Sequence, residues 1–257
     1  MNPATKIAII TGGGRGIGRS AALNLARAGV DVVITYQSNI AAAEAAVDTI
    51  RAGGRKAFAI QLDVGEVSKF EDFASRLVGR LRECWNRSEF DFLINNAGDH
   101  RRGRLGEINQ SDFDHLCGVH FKGVLFLTQS LLPLLADGGR ILNVSSALTR
   151  FITPGSSNSI VYASMKGAVE IMTRYMAQEL AGRGITVNSL APGATATNFG
   201  GGVLRDNQDV RNVVATHTAF GRVGDAEDIG AAIANLLDDR NRWVTGQRIE
   251  ASGGMLL

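Results

Sequence analysis

Two residues past the middle of the chain have the types and spacing for proton chemistry. Tyr162 stands four positions before Lys166, within Asn-Ser-Ile-Val-Tyr-Ala-Ser-Met-Lys-Gly-Ala-Val at residues 158–169. On a helix this spacing sets both side chains on one face, about one turn apart. A phenol is a poor acid at neutral pH, with an ordinary pKa of about 10. A neighbouring ammonium favours the phenolate and is expected to pull that value down. A phenol tuned in this way suits proton transfer to a carbonyl oxygen. Amphipathic helices also contain the spacing by chance, so its meaning depends on the elements that hold it.

Residues 6–11 form a short apolar run that stops at Gly12-Gly13-Gly14-Arg15-Gly16-Ile17-Gly18, and an alanine- and leucine-rich helical pattern follows until Gly29. Strand, glycine turn and helix is the context in which such a loop binds a dinucleotide. The glycines admit the pyrophosphate to the backbone, and the helix N-terminus offers free N–H donors. Gly12, Gly16 and Gly18 give the spacing Gly-x-x-x-Gly-x-Gly. The second strand, residues 31–36, runs into Gln37-Ser38-Asn39 without the acid that usually holds an adenine ribose. With Arg15 nearby to meet a 2′-phosphate, NADP(H) is favoured and NAD(H) remains possible.

The remaining pattern alternates. A helix over 41–52 and a strand over 56–62 lead to Asp63-Val64, where Asp63 either reaches the adenine or caps a helix. A helix over 67–85 precedes the strand at 90–94, which closes in Asn95-Asn96-Ala97-Gly98. There Asn95 has an amide that can tie adjacent strands, and Gly98 leaves room for a nucleotide. The loop 99–106 carries Arg101, Arg102 and Arg104, either solvated or facing a substrate. One long helix is expected over 111–136, then a fifth strand over 140–146 ending in Ser145-Ser146. The Tyr162 helix runs to about residue 181. A sixth strand over 185–190 meets Ala191-Pro192-Gly193; residues 194–222 show no period and read as a functional loop, a substrate lid. A helix over 225–237 and a strand over 247–251 follow.

Alternating strands and helices predict an α/β fold, a Rossmann-type doubly wound parallel sheet of about seven strands with helices on both faces. The length suits one dinucleotide-binding and catalytic domain over residues 1–257. The glycine turn, Asp63, Asn95, Ser146 and Pro192-Gly193 all fall at the carboxyl ends of strands, where ligands bind on such sheets. The residues expected to hold the cofactor are Gly12, Gly14, Arg15, Gly16, Ile17, Gly18, Tyr36, Ser38, Asn39, Asp63, Val64, Asn95, Ala97, Gly98, Pro192, Gly193, Thr195 and Thr197.

Composition narrows the class. Lys and Arg number 27 against 25 Asp and Glu, which leaves no basic footprint for nucleic acid. Cys84 and Cys117 lack any metal-ligand spacing and read as reduced thiols of a cytoplasmic protein. The first six residues carry no signal-peptide pattern, and the longest apolar stretch, residues 123–136, is too short and too polar to span a bilayer. No metal site is expected.

Taken together, Thr11-Gly12-x-x-x-Gly16-Ile17-Gly18, Asn95-Asn96-Ala97-Gly98, the paired serines, Tyr162-x-x-x-Lys166 and Pro192-Gly193 resemble the short-chain dehydrogenase/reductase family in its compact branch. Gly221-Arg222-x-Gly224, Asp228-Ile229, Thr245-Gly246-Gln247 and Ser252-Gly253-Gly254 extend the resemblance over nearly the whole chain. The style is similar to 3-oxoacyl-carrier-protein reductases and sugar or polyol dehydrogenases. The resemblance implies hydride transfer between nicotinamide and a ketone or secondary alcohol. In that scheme Tyr162 donates the proton, Lys166 holds the nicotinamide ribose and lowers the phenol pKa, and Ser146 bonds the substrate oxygen, with Ser145 and Ser159 as fallbacks. The resemblance thereby adds Tyr162 and Lys166 to the residues expected to hold the cofactor. It also implies a homotetramer or homodimer. His120 stands where the family often has a water-holding asparagine, and is carried as the fourth catalytic residue. The segment between Ser146 and Tyr162 is longer than the family's common spacing. Arg183 falls at a basic carrier-docking position, but its companion position holds Asp137. A catalytically silent NADP-binding sensor is the alternative; retention of both Tyr162 and Lys166 weighs against it.

Overall fold

The structure, a computed structural model, describes residues 5–257; residues 1–4, part of the stretch read above for a signal peptide, lie outside them. In chain order the elements are β1 (Ile7–Ile10), α1 (Gly16–Arg27), β2 (Asp31–Tyr36), α2 (Ile40–Ala52), β3 (Ala57–Gln61), α3 (Phe70–Trp85), β4 (Phe90–Asn95), α4 (Gln110–Cys117) and α5 (Gly123–Leu131). They continue with β5 (Leu135–Val144), α6 (Ile160–Leu180), β6 (Thr186–Pro192), β7 (Thr195–Ala196), α7 (Val203–Asp206), α8 (Gln208–Thr216), β8 (Gly224–Asp225), α9 (Ala226–Leu236) and β9 (Arg248–Ala251). Seven strands form one sheet in the order β3-β2-β1-β4-β5-β6-β9, and every pairing in it is parallel. Strands β7 and β8 pair separately. This is the doubly wound α/β architecture expected from the alternation.

Strand composition follows from burial on both faces. All residues of β1 and β4 are buried, which is why these strands read as continuous apolar runs instead of alternating ones. One face packs on α1, α2 and α9 through residues such as Leu25, Val47 and Ile233. The other packs on α3, α5 and α6 through Phe73, Leu77, Leu127 and Leu180. Strand order reverses between β1 and β4, which run parallel, and the crevice outside their carboxyl ends is closed by Thr11 N–H to Ile94 O at 3.0 Å and Asn96 Nδ2 to Thr11 O at 2.8 Å.

Two expectations are corrected. The helix predicted over 111–136 is broken. Between α4 and α5 the backbone widens into a π-turn at Gly118–Lys122, and the helix stops at Leu131. Leu132–Leu134, with Pro133 near the start of a 3₁₀ turn, turns the chain directly into β5, which starts at Leu135 rather than 140. Apolar periodicity cannot see a single inserted residue in a helical turn, and the buried strand behind Pro133 continues the apolar pattern. The second correction concerns residues 194–222, which hold two short helices, α7 and α8. No residue of α8 is fully buried, so it leaves no buried stripe for a periodicity argument to find.

Candidate active site

A single cleft of about 1000 Å³ runs along the carboxyl ends of the strands. At one end lies the glycine turn. Gly12 and Gly16 have φ of +66° and +55°, in the left-handed region, and a Cβ on Gly18 would collide with the Gly12 carbonyl and the Asn96 amide. Helix α1 begins behind them with no side-chain cap and no acid in its first turn. Its N–H groups and dipole are left to a ligand, and the electrostatics call for an anion. The Arg15 side chain is exposed on the cleft wall and makes no hydrogen bond or ion pair among the described residues. The acid nearest the end of β2, Asp63, is already engaged: it accepts from Gln37 Nε2 at 2.8 Å and from Gly65 N–H at 2.9 Å. It lines the cleft and caps a tight turn at Gly65, not a helix as the second alternative had it: the 3₁₀ turn that follows has Glu66 at its N-cap and α3 has Lys69. Asn39 likewise lines the cleft and caps α2 through Ala42 N–H at 2.9 Å. These residues fit a dinucleotide, and a 2′-phosphate finds a free guanidinium instead of a carboxylate.

Helix α6 carries Tyr162 and Lys166 onto the opposite wall, where both are buried. The Ser146 side chain faces the Tyr162 phenol as the polar group that favours its ionised form, and its hydroxyl accepts from Leu148 N–H at 3.2 Å. Lys166 Nζ donates to Val144 O at 2.6 Å and lies 5.8 Å from the centre of the tyrosine ring. Burial pushes the phenol up to about 12, opposed by the nearby Ser146 side chain, and brings the ammonium down to about 8. The expected lowering of the phenol by Lys166 is therefore not present in the protein alone. The ammonium is turned to the Val144 carbonyl, and desolvation of the phenolate dominates. The phenol is held neutral, which is the form that donates a proton.

His120 sits in the π-turn, fully buried. Its Nε2 lies 2.6 Å from Asp99 O and 3.3 Å from Asp99 N; the shorter contact places the proton on Nε2, and Nδ1 is buried and makes no hydrogen bond among the described residues. Burial and then the charge of Lys166 hold the ring well below the usual histidine range. His120 is thus a neutral ring with an acceptor nitrogen, 5.0 Å from the Tyr162 ring and edge-on to it.

A family model described as enoyl-(acyl carrier protein) reductase matches residues 12–256. The chain belongs to the short-chain dehydrogenase/reductase family. A 3-oxoacyl-[acyl-carrier-protein] reductase of Staphylococcus aureus is 34% identical, covering 98% of this chain and 99% of that protein. Among solved structures, the promiscuous reductase LugOII, which catalyses keto-reduction at C1 during lugdunomycin biosynthesis, superposes with a TM-score of 0.92 at 38% identity, covering 99% of both chains. The angucycline C-6 ketoreductase LanV with bound NADP gives a TM-score of 0.91 at 35% identity, over 98% of this chain and 96% of that one. The protein is an oxidoreductase of this family.

Within this short-chain dehydrogenase/reductase, the cleft brings together every predicted site residue but one. Asn95 does not line it. Its amide donates to Asn143 Oδ1 at 2.8 Å and Thr128 Oγ1 at 3.1 Å, which ties β4 to β5 and to α5. That is the strand-tying role read for its amide, and not cofactor contact. Of the fallback serines, Ser145 is drawn away to Glu170 Oε1 at 2.6 Å, and Ser159 bonds His100 Nε2 at 3.1 Å. The carboxylate of Glu170 also accepts from Thr149 Oγ1 at 2.8 Å and Arg248 Nε at 2.9 Å. Arg248 passes the contact to Glu250 at 3.0 Å, and Glu250 clamps Arg150 at 2.7 and 2.8 Å. Arg150 in turn donates to Met255 O at 2.6 Å and Leu256 O at 2.9 Å. Through this chain α6 and β9 hold Met255 on the cleft wall. Arg183 is spent on Asp137 at 2.7 Å and on the carbonyls of Leu132 and Leu135, so it offers no free charge for carrier docking.

Sequence reasoning missed His100 and Phe199. The His100 ring is 5.1 Å from Tyr162, edge to face at 86°, and Phe199 is 5.7 Å from Tyr162. The available signals were an isolated histidine two positions after Gly98 and an aromatic residue placed directly before three glycines.

Proposed function

We propose that the chain catalyses the NADPH-linked reduction of a small-molecule ketone to a secondary alcohol: ketone, NADPH and one proton give alcohol and NADP⁺, and the same site runs in reverse. The observation that carries this reading is the meeting of a buried, neutral phenol beside Ser146 with an anion-seeking glycine turn in one cleft. When bound, the nicotinamide supplies or accepts the hydride. Tyr162 Oη gives its proton to the ketone oxygen. Ser146 Oγ donates a hydrogen bond to the same oxygen as negative charge grows on it. Lys166 sits one turn from Tyr162 and brings positive charge to the tyrosinate as the proton leaves. His120, with Nε2–H held by Asp99 O, keeps a neutral acceptor behind the pair. Gly12, Gly16, Gly18 and the start of α1 hold the pyrophosphate, and Arg15 with Ser38 takes the 2′-phosphate. We take the chain as one catalytic domain with residues 194–222 as its lid, and place the enzyme in the cytoplasm. Ile171 and Tyr175 stand 48% and 74% exposed on α6, which supports assembly as a homotetramer or homodimer. No helix among the described residues is long and apolar enough to cross a membrane.

The test is NADPH consumption, with NADH in parallel, over a panel of ketones and 3-oxoacyl thioesters. Tyr162→Phe is expected to abolish turnover by about a thousandfold or more while NADPH affinity stays within a factor of a few. Wild-type turnover in that variant would remove Tyr162 as the acid. The sensor alternative needs NADPH binding without turnover of any carbonyl.

A further inference from the structure

The chemistry above makes no use of the ring system that borders Tyr162. Phe199 and His100 lie 5.5 Å apart and tilted by only 33°, and each approaches Tyr162 at stacking distance. These separations fall in the range at which aromatic rings attract by edge-to-face or offset stacking. His100 cannot turn freely, because Nε2 is tied to Ser159 Oγ at 3.1 Å and its backbone N–H to Asp99 Oδ1 at 2.7 Å. Burial and Arg102 lower its pKa against the opposing pull of Asp99, so the ring remains neutral.

Phe199 is different, because it remains 44% exposed. It is followed by Gly200, Gly201 and Gly202 with φ of 61°, 80° and 77°. Three consecutive residues in the left-handed region are a conformation for glycine and hardly any other sequence. The Phe199 ring therefore rides at the start of a swivel, over the phenol that has to reach the substrate oxygen. Val213, 61% exposed, lines the same cleft, as do Leu148, Phe151, Val210 and Val214. A ligand that moves Phe199 off Tyr162 must replace its ring contacts and cover this apolar wall.

We propose that His100 and Phe199 form an aromatic clamp, and that the substrate is a flat aryl ketone whose ring is held by the clamp while its carbonyl reaches Tyr162 and Ser146. The proposal rests on the ketone-reductase reading. A thioester handed over by a carrier protein fits less well, since Arg183 is already neutralised by Asp137.

The experiment compares 2-acetonaphthone with its saturated counterpart, methyl decahydronaphthyl ketone, by kcat/KM with NADPH in the wild-type enzyme and in Phe199→Leu, Phe199→Tyr and His100→Leu. NADPH affinity by fluorescence titration monitors folding of each variant. The wild type is expected to prefer the aryl ketone by about tenfold or more. Phe199→Leu and His100→Leu are each expected to reduce that preference by roughly three- to tenfold, and Phe199→Tyr to keep it. Equal kcat/KM for the two ketones in the wild type would overturn the clamp while leaving the reductase reading in place. So would an unchanged preference in both leucine variants. Absence of NADPH consumption with either ketone would overturn the clamp, and extension of that result to the whole ketone panel would overturn the reductase reading with it.

Discussion

The two ends of the cleft are built in different ways. At the cofactor end the frame is mostly backbone, with left-handed glycines, the uncapped start of α1 and strand ends fixed by parallel pairing, and Arg15 is the exposed side chain added to it. At the substrate end they come from side chains, His100 after β4, Phe199 before α7, Val213 on α8 and Met255 after β9, which converge from separate loops. The first end suits a ligand that does not vary, because backbone geometry is insensitive to most substitutions. The second can change its substrate by single side-chain replacements without disturbing the sheet.

Three measurements would break or sharpen this contrast. The largest effect is expected for Arg15→Gln. Loss of the cation proposed to meet the 2′-phosphate is expected to raise KM for NADPH roughly tenfold or more and leave KM for NADH nearly unchanged. An equal effect on both cofactors would show that Arg15 does not read that phosphate. The next effect is a pH limb. Lys166 loses its charge through about 8, and the neutral amine no longer favours the tyrosinate. kcat/KM for NADPH, which reports the free enzyme, is then expected to fall as pH rises past that value, by about tenfold per unit well above it. A flat profile to pH 9.5 would contradict a charged role for the lysine. The smallest effect is expected for His120→Asn. Asparagine can keep a donor to the Asp99 carbonyl and present an acceptor, so kcat near neutral pH is expected to stay within about threefold. A loss of a hundredfold, restored by no change of pH, would mean that the imidazole itself moves the proton.

The contrast also explains what could be read in the sequence. The strand–turn–helix start, the order of strands and helices, and the Tyr162–Lys166 face follow from periodicity and glycine spacing, which are local properties of the chain. The π-turn around His120 is invisible because one extra residue per turn leaves apolar spacing nearly unchanged. His100 and Phe199 carry no pattern of their own; they meet Tyr162 only because the loops after β4 and β7 fold over the same strand ends. The pKa of Tyr162 departs from the sequence expectation for a related reason. Residue identity announces a nearby ammonium, but the desolvation of the phenol and the turn of Lys166 toward Val144 O are tertiary facts.

The relay from Glu170 through Arg248, Glu250 and Arg150 to the Met255 carbonyl has a consequence for biosynthesis. A ribosome delivers the glycine turn and β1 through β4 early, and these elements can begin pairing as a unit. The substrate wall cannot be assembled on the same schedule, because Met255 and the strand that anchors it emerge some time after Tyr162 and the rest of α6. A nascent chain would hold the glycine turn before α9 had arrived to cover α1 and before the substrate wall existed, and productive chemistry would wait until Arg150 had captured its two carbonyls.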